Sequence, residues 1–195
     1  MNNDTKIRIV ACSVYKKELE LLQESGKLDY EIEYLDSMMH MYPKKLEQLL
    51  NKAIKESKKG KIVLLYGDCH ARMLDQLNEN VIKVRGINCC DAILGNERYR
   101  ELRKKGAFVL IHEWMIRWEE VFKKELGLKT KELARQFMRE MHKEIVFLDT
   151  GVDDIPVETI KEISDYTGLP FSIEKCSLNE FENAVLTAIK EAKNE

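Results

Sequence analysis

The sequence has 195 residues, of which 44% are hydrophobic and 34% are charged, which is enough apolar material for one ordinary domain or two closely apposed lobes. Its 32 basic and 34 acidic residues are scattered without a long run of either sign, which argues against a nucleic-acid or membrane-surface binder. No apolar run approaches the roughly 18 residues that span a bilayer, and the first residues lack the hydrophobic region of a secretory signal, so we expect a cytoplasmic protein.

Short apolar runs alternate with helix-patterned segments along the first half of the chain. Strands are predicted there over residues 7–11, 30–35, 62–66 and 81–84. Helices are predicted between and after them over residues 18–23, 43–60, 71–78 and 90–105. This alternation is typical of a parallel sheet, in which each crossover helix returns the chain to the start of the next strand.

The second half keeps this alternation with one departure. Strands are predicted over residues 107–111, 144–150 and 171–176, and helices over 157–167 and after Ser177. The departure is a pair of consecutive helices, which is either a small helical insert or a long crossover; these helices cover residues 114–126 and 133–141. No glycine-rich phosphate loop occurs, which disfavours nucleotide binding of the familiar kind.

These elements predict a three-layer α/β fold with a mainly parallel sheet and helices on both faces. We expect either a single domain over residues 1–195 or two lobes, over about 1–105 and 106–195. In such a sheet, ligands bind outside the carboxyl ends of the strands, so the residues that follow each strand are the ones to inspect for chemistry.

Cysteine and histidine residues follow four of the predicted strands. These residues are Cys12, His40, Cys69, His70, Cys89 and Cys90. Because the carboxyl ends of parallel strands meet at one edge, we expect these side chains to lie close together. In a reducing compartment, cysteines at such an edge are better interpreted as metal ligands or reactive thiols than as a disulfide framework.

The cysteine set predicts a metal centre, because thiolate and imidazole are the ligands that soft or borderline metals prefer. Cys12, Cys69 and one of Cys89 and Cys90 can converge on a zinc or iron centre, with His40 as a fourth ligand or a nearby acid/base group. Three cysteine ligands leave one position that a small-molecule substrate can occupy.

A metal-free thiol enzyme is the competing hypothesis, with Cys69 as the nucleophile and His40 or His70 as the base. In a metal centre, His70 can instead orient its neighbour. A third possibility is that the cysteines are small buried hydrophobes, which is the interpretation adopted for Cys176. Asp68 can hold a histidine or a substrate amine, or satisfy turn amides.

The second half of the chain offers weaker candidates. His112 and Glu113 follow a strand and can serve proton transfer, although Glu113 can equally cap a helix. Trp114 and Trp118 recur at helical spacing and are interpreted as core, while His142 is interpreted as incidental. An accessory protein that docks on a partner through these Met- and Trp-rich helices is a further hypothesis.

Five blocks of the sequence resemble, in order, the signature blocks of the domain-of-unknown-function family 1638 of archaea and anaerobic bacteria. The blocks are IVACSVYKKELE, SMMHMYPKKLEQLL, VLLYGDCH, NCCDAILGNERY and EIVFLDTG. The family pattern has cysteines that match Cys12, Cys69 and, best, Cys89, and a histidine that matches His40. This chain differs in having Asp68 and His70 beside Cys69 and a doubled cysteine at 89–90.

The resemblance implies the kind of metabolism in which the protein takes part, but it does not imply a particular activity. Proteins of this family accompany corrinoid-dependent methyl-transfer systems, which implies a corrinoid or methyltransferase protein as a partner. In an anaerobic setting we predict an iron–sulfur cluster first and Zn²⁺ second on Cys12, Cys69 and Cys89, with His40 as fourth ligand. A zinc ion would activate a thiol substrate toward a methyl group, and a cluster would transfer electrons or activate a small molecule. Homo-oligomerisation is compatible with the sequence.

Overall fold

The computed structural model describes residues 6–57 and 60–193. Its strands are β1 (Ile7–Cys12), β2 (Ile32–Leu35), β3 (Lys61–Leu65), β4 (Val81–Lys83), β5 (Ala107–Leu110), β6 (Glu144–Asp149) and β7 (Phe171–Lys175). Its α-helices are α1 (Lys16–Glu24), α2 (Pro43–Glu56), α3 (Cys89–Leu94), α4 (Asn96–Lys104), α5 (His112–Ile116), α6 (Lys131–Met141), α7 (Val157–Thr167) and α8 (Asn179–Lys193). Short 3₁₀ turns cover Ser13–Tyr15, Ser37–Met41 and Leu74–Gln76, and a π-helical turn covers Glu120–Glu125.

The predicted fold class is confirmed. The strands form two all-parallel sheets with helices on both sides, as expected of a three-layer α/β fold. The four-stranded sheet has the order β2-β1-β3-β4 and the three-stranded sheet the order β5-β6-β7. The chain divides into two compact units: the second is Asn96–Ser177, and the first comprises the described residues on either side of it.

The first unit is built around β1 and β3, which lie in the middle of its sheet. Every residue of β3 is buried, which explains its continuous apolar sequence. Helix α2 begins at Pro43, where the lack of an N–H costs nothing, and its apolar stripe Leu46, Leu50 and Ala53 packs on one sheet face against Val10 and other strand residues. Helix α8 packs against β3 and β4.

The second unit packs α4 against β5, and α6 and α7 against each other. Trp118 is buried and makes edge contacts with Phe122 and Tyr166, so its predicted place in the core is confirmed, whereas Trp114 is half-buried. The Tyr166 hydroxyl donates a hydrogen bond to the Leu128 carbonyl at 2.6 Å, which satisfies its buried polar atom.

Three predicted helices were wrong in their extent. The helix predicted over 90–105 is two helices, because Gly95 adopts a φ of +80° and its N–H closes α3 on the Asp91 carbonyl. The helix predicted over 114–126 ends as α5 at Ile116 and resumes as the π-helical turn. The one predicted over 71–78 reduces to a 3₁₀ turn, since so short a segment does not propagate an α-helix by itself.

Within the described part of the chain, no helix is both long enough and apolar enough to cross a membrane.

Candidate functional site

The carboxyl edge of the four-stranded sheet is assembled by hydrogen bonds between the segments that follow its strands. After β1 and β2, the Ser37 amide donates to the Ser13 hydroxyl at 2.9 Å. After β3 and β4, the Asp68 amide donates to the Ile87 carbonyl at 2.9 Å. These two contacts join connections that are far apart in sequence, and each connection carries a cysteine or histidine predicted to belong to the site.

Gly67 allows the β3 and β4 connections to approach closely. A Cβ atom at this position would lie 2.4 Å from the Asn88 Cα atom and 2.8 Å from the Ile87 carbonyl oxygen, both of which are backbone atoms that cannot rotate away. Only glycine fits here without moving one connection. The glycine therefore brings the loop that carries Cys69 against the start of the helix that carries Cys89.

The start of that helix is fixed by its own side chains. Asn88 accepts a hydrogen bond from the Asp91 amide at 3.0 Å, and the buried Asp91 carboxylate accepts one from the Ile87 amide at 2.8 Å. Together these bonds cap α3 and hold the backbone just before Cys89 and Cys90. The two neighbouring cysteines are thus presented from a defined first turn.

The buried side chain of Lys83 bonds to both of these connections. The Lys83 side chain is 7% exposed, and its ammonium group donates to the carbonyls of Tyr66 at 3.3 Å, Val84 at 3.0 Å and Gly86 at 2.8 Å. It also pairs with the Asp68 carboxylate at 3.2 Å. The buried charge is therefore compensated, as a charge removed from water must be.

Four of the predicted site cysteines converge at this edge. Cys12 and Cys69 pack against the same core cluster, which includes Tyr66. Burial raises the pKa of Tyr15 well above its ordinary range, and the negative charges that Cys89, Cys12, Cys69 and Cys90 would carry as thiolates raise it further. Electrostatic effects of this kind weaken with distance, so thiols from three connections lie in the neighbourhood of one buried phenol.

Several buried polar atoms near these thiols have no hydrogen-bond partner in the described structure. They are the hydroxyls of Tyr15 and Tyr66 and both ring nitrogens of His70. Tyr15 is fully buried and stacks on Phe181 with ring centroids 4.9 Å apart, and Tyr66 is 2% exposed. A buried polar atom without a partner costs about 1–3 kcal/mol, so a group of them in one region indicates a place where another group can bind.

Two of the thiols at this edge have pKa values that are raised above the ordinary value of a thiol. Burial, with the neighbouring Cys89, raises the pKa of Cys69 to about 11. A hydrogen bond that the Cys89 thiol donates to Cys90, together with burial, raises the pKa of Cys89 well above its ordinary value. In both cases the cause is that a thiolate would be buried beside other thiols without enough positive charge.

The geometry of a bound metal is not preformed. Across residues 6–57 and 60–193, no group of three or more histidine, cysteine, aspartate or glutamate side chains is placed to hold a metal ion. The cysteines are neighbours, but binding a metal at about 2.3 Å from each sulfur would require their side chains to rotate toward a common point.

The two predicted histidines differ in their surroundings. His40 lies in the 3₁₀ turn Ser37–Met41, and its Nδ1 is 2.6 Å from the Ser37 carbonyl oxygen, so Nδ1 carries the proton and Nε2 carries the lone pair. Burial lowers the pKa of His40 and keeps the imidazole neutral at neutral pH. His70 follows Cys69 directly and is 6% exposed.

The remaining candidates lie in the second unit, at the carboxyl edge of its own sheet. His112 begins α5, and its Nε2 is 3.1 Å from a carboxylate oxygen of Asp153. The Cys176 thiol donates to the Glu174 carbonyl at 3.3 Å, and burial, with the charges of Glu174 and Asp149, raises its pKa to about 12. Cys176 follows β7 instead of lying inside it and is half-buried.

A cavity of about 760 Å³ lies away from the cysteines, at the opposite edge of the four-stranded sheet. Residues at the starts of β1 and β2 line it, with Glu56 and Ser57 from the end of α2. No cysteine or histidine is among its lining residues, so it does not share the chemistry of the thiol edge.

Tyr15, Tyr66 and Lys83 also lie at this edge, and none of them was predicted there from the sequence. Lys83 did carry a signal, because it is a charged residue within the otherwise apolar strand sequence VIKV. The tyrosines carried none, since an aromatic residue beside a buried strand is most often core.

Comparison with known proteins gives one family. The family model described as Protein of unknown function (DUF1638) matches residues 34–185. The matched range includes His40, Cys69, Cys89 and Cys90, and Cys12 lies before it. No curated protein and no solved structure matches the chain.

Proposed function

Because this chain belongs to the DUF1638 family of proteins of unknown function, its own residues must indicate its activity, and we propose that it binds a metal through thiolates at the carboxyl edge of its four-stranded sheet. The ligands are Cys12, Cys69 and Cys89, with Cys90 as the alternative to Cys89 and His40 as a fourth ligand or nearby base. An iron–sulfur cluster is the first candidate for the bound group and Zn²⁺ the second.

One observation carries this proposal: thiols from three separate connections lie in the neighbourhood of the buried Tyr15 phenol, in a region with several buried polar atoms that have no partner among the described residues. Thiols that were only small hydrophobes would not need tyrosine hydroxyls and an imidazole buried nearby without hydrogen bonds. A group that binds between these atoms can accept hydrogen bonds from the tyrosine hydroxyls and interact with the imidazole nitrogens, so that none of them remains without a partner.

A cation reverses the electrostatics of this edge. Without one, adjacent thiolates repel each other and burial penalises each of them, so Cys69 and Cys89 stay protonated. A soft metal replaces those protons, and a coordinated thiol is deprotonated outright. The same attraction supplies the free energy that draws the sulfurs together, since their positions are not preformed.

The chemistry of such a centre depends on its open position. Three cysteines leave one coordination position, which a small molecule can take, and the tyrosine hydroxyls near the thiols can donate hydrogen bonds to it or to the sulfurs. With Zn²⁺, a substrate thiol bound there would lose its proton and become a nucleophile toward a methyl group. This reaction fits the methyl-transfer setting that the family resemblance implies, with a corrinoid or methyltransferase protein as the partner.

The metal-free alternative uses Cys69 as a nucleophile. The thiolate is the reactive form, and a pKa of about 11 leaves roughly one thiol in ten thousand ionised at pH 7. Reactive cysteines normally have a lowered pKa, so the arrangement favours the metal centre over the thiol enzyme.

The test is metal binding by the protein purified without oxygen. We expect elemental analysis to find iron or zinc, and Co²⁺ added to the metal-free protein to give the sulfur-to-metal charge-transfer absorbance of several thiolate ligands. Changing Cys12, Cys69 or Cys89 singly to serine should weaken that absorbance and lower metal affinity by at least about tenfold.

Cys176→Ser is the matched control, since it removes a half-buried thiol from the second unit and should leave binding unchanged. A protein that carries no metal, gives no charge-transfer band, and is inactivated by alkylation of Cys69 alone would overturn the proposal in favour of the thiol enzyme.

A further inference from the structure

The cavity at the edge of the four-stranded sheet that lies away from the cysteines has an unbalanced set of charges in its lining. Among the described residues, four carboxylates and two cations line it. The carboxylates belong to Asp29, Glu31, Glu33 and Glu56, and the cations are Lys6 and Arg8. The carboxylates therefore exceed the cations by two. Like charges around one cavity repel each other, and a cationic ligand relieves that repulsion.

The side chain of Arg8 shows how the wall of this cavity holds a cation. Its guanidinium group donates to the Glu33 carboxylate and to the Ala53 carbonyl, the latter at 3.5 Å, and lies 4.0 Å from the Glu56 carboxylate. Ala53 and Glu56 belong to the last turn of α2, where the helix dipole adds negative potential. The same wall is therefore suited to the positive groups of a ligand.

Two carboxylates of the lining are available for such a ligand. Asp29 and Glu31 lie in the segment before β2, are exposed, and form no ion pair with another residue in the described part of the chain. Arg8 interacts with the other two carboxylates, Glu33 and Glu56. A ligand can thus pair with Asp29 and Glu31 without breaking a contact between described residues.

The arrangement of the carboxylates fits an extended cation better than a metal ion. Within residues 6–57 and 60–193, no group of three or more acidic, histidine or cysteine side chains is placed to hold a metal ion, so these carboxylates do not converge on one point. Ile7, Tyr30 and Ile32 add apolar atoms to the lining, and the volume of about 760 Å³ is that of a small-molecule site. A ligand that matches both features carries separate positive charges on an apolar chain.

We propose that this cavity binds an aliphatic polyamine. Its ammonium groups pair with the carboxylates, and its methylene chain lies against Ile7, Tyr30 and Ile32. This inference goes beyond the proposed function and does not depend on it, because no cysteine or histidine is among the residues that line the cavity.

The walls of the cavity are fixed before a ligand binds. Glu33 lies in β2 and is held in register with Val10 of β1. The Gln23 side-chain amide donates to the Tyr30 carbonyl at 2.8 Å, which holds the segment that carries Asp29 and Glu31. A preformed site binds more tightly than one that must be ordered first, because less conformational freedom is lost on binding.

The alternative is that the two cations of the lining hold an anion. The two ideas make opposite predictions for Lys6 and Glu31. A polyamine site gains affinity when the positive charge of Lys6 is removed and loses it when the negative charge of Glu31 is removed. An anion site shows the reverse.

The experiment is a calorimetric titration of the full-length protein with spermidine. We expect Glu31→Gln to weaken spermidine affinity about threefold, the Asp29→Asn, Glu31→Gln double variant to weaken it about tenfold, and Lys6→Met to tighten it about threefold, as expected of single ion pairs exposed to water. Asp75→Asn is the matched control, because Asp75 is an exposed carboxylate of the same unit outside the cavity lining and its loss should leave affinity unchanged.

Mg²⁺ and inorganic phosphate are the comparison ligands. Spermidine should bind at least about tenfold more tightly than Mg²⁺, and phosphate should not bind. Equal affinities for spermidine and Mg²⁺, or equal losses in Asp75→Asn and Glu31→Gln, would overturn the polyamine site in favour of general attraction to a negative surface. Phosphate binding that Lys6→Met abolishes would overturn it in favour of an anion site.

The result is independent of the metal proposal. Every side chain changed in the cavity is exposed, so the variants should fold, and thermal denaturation checks that they do. Cys69→Ser, which removes a proposed metal ligand, should leave spermidine affinity unchanged. No measurable spermidine binding by the folded protein would overturn the inference and leave the thiolate centre untouched.

Discussion

The two sheets of this protein have the same kind of carboxyl edge but use it differently. At the edge of the four-stranded sheet, thiols gather around buried tyrosine hydroxyls and an imidazole that have no partners among the described residues. At the edge of the three-stranded sheet, more of the polar groups satisfy one another: the Nε2 atom of His112 pairs with Asp153, although its Nδ1 atom has no partner among the described residues, Asp149 accepts from the Gly151 amide at 3.0 Å, and Cys176 donates to a backbone carbonyl.

The direction of the strands in a parallel sheet therefore places polar side chains at one edge, but it does not determine which interactions they make there. Side chains that pair locally stabilise the loops that carry them. Side chains left without partners weaken the fold unless something binds to them, which is why we propose a ligand at the edge where more of them lie. Changes made at each edge in turn should therefore have different consequences.

Glycine-to-alanine substitutions should show the largest difference in the free energy of unfolding between the two edges. Gly67→Ala forces a Cβ into the Asn88 backbone, and we expect it to lower the free energy of unfolding by about 3 kcal/mol and to abolish metal binding. A Cβ atom at Gly151, at the other edge, would have no atom within 4 Å. Gly151→Ala should therefore cost only about 1 kcal/mol, which is the strain of an alanine at a φ of +73°. Urea denaturation measures both, and equal losses would show that the close approach at Gly67 is not needed.

Alkaline pH should destabilise the metal-free protein through its buried thiols. Because the folded-state pKa of Cys69 is raised from 9.0 to about 11, its contribution to stability is complete below pH 9 and is lost as the pH rises toward 11. The loss is on the order of 2 kcal/mol, and Cys69→Ser should remove it. Denaturation curves from pH 8 to pH 11 check this expectation.

The same experiment with metal present distinguishes the two edges. Cys176 also has a raised pKa, of about 12, so Cys176→Ser should reduce the alkaline loss whether or not metal is bound. Cys69→Ser should reduce it only in the metal-free protein, since a bound metal has already replaced the Cys69 proton. A metal-independent effect of Cys69→Ser would contradict the thiolate centre.

Removing tyrosine hydroxyls should give the smallest change in stability. The change should be a loss for Tyr166 and no loss, or a slight gain, for Tyr15. Tyr166→Phe loses the hydrogen bond to Leu128 and should cost about 1 kcal/mol of stability. Tyr15→Phe removes a buried hydroxyl that has no partner, so we expect the metal-free protein to keep its stability or gain slightly, while metal binding weakens. Thermal denaturation and Co²⁺ titration measure the two effects, and a clear loss of metal-free stability in Tyr15→Phe would count against an unsatisfied edge.

Much of the fold could be predicted because it depends on local patterns. Continuous apolar runs gave β3 and β6, and the spacing of Leu46, Leu50 and Ala53 gave the buried face of α2. The predicted strands were therefore found, whereas helix ends such as the break at Gly95 depend on a single backbone angle that periodicity does not report.

The cysteines of the candidate site could be predicted from the sequence, but the residues that lie around them could not. Cys12, Cys69, Cys89 and Cys90 could be inspected as a set because each follows a strand, and that position is visible in the sequence. Lys83, Tyr15 and the close approach at Gly67 could not be placed, because their importance lies in contacts between segments far apart along the chain.

The amino-acid sequence was enough to locate the strands and most of the helices, although not every helix end, and to show that sulfur atoms follow several of the strands. The division of the strands between two sheets, and the presence of thiols near a buried tyrosine hydroxyl at one sheet edge, could be seen only in the folded chain. The physical reason is that hydrophobic periodicity is a property of neighbouring residues, whereas strand order, burial and the pairing of polar atoms arise from which distant segments pack together.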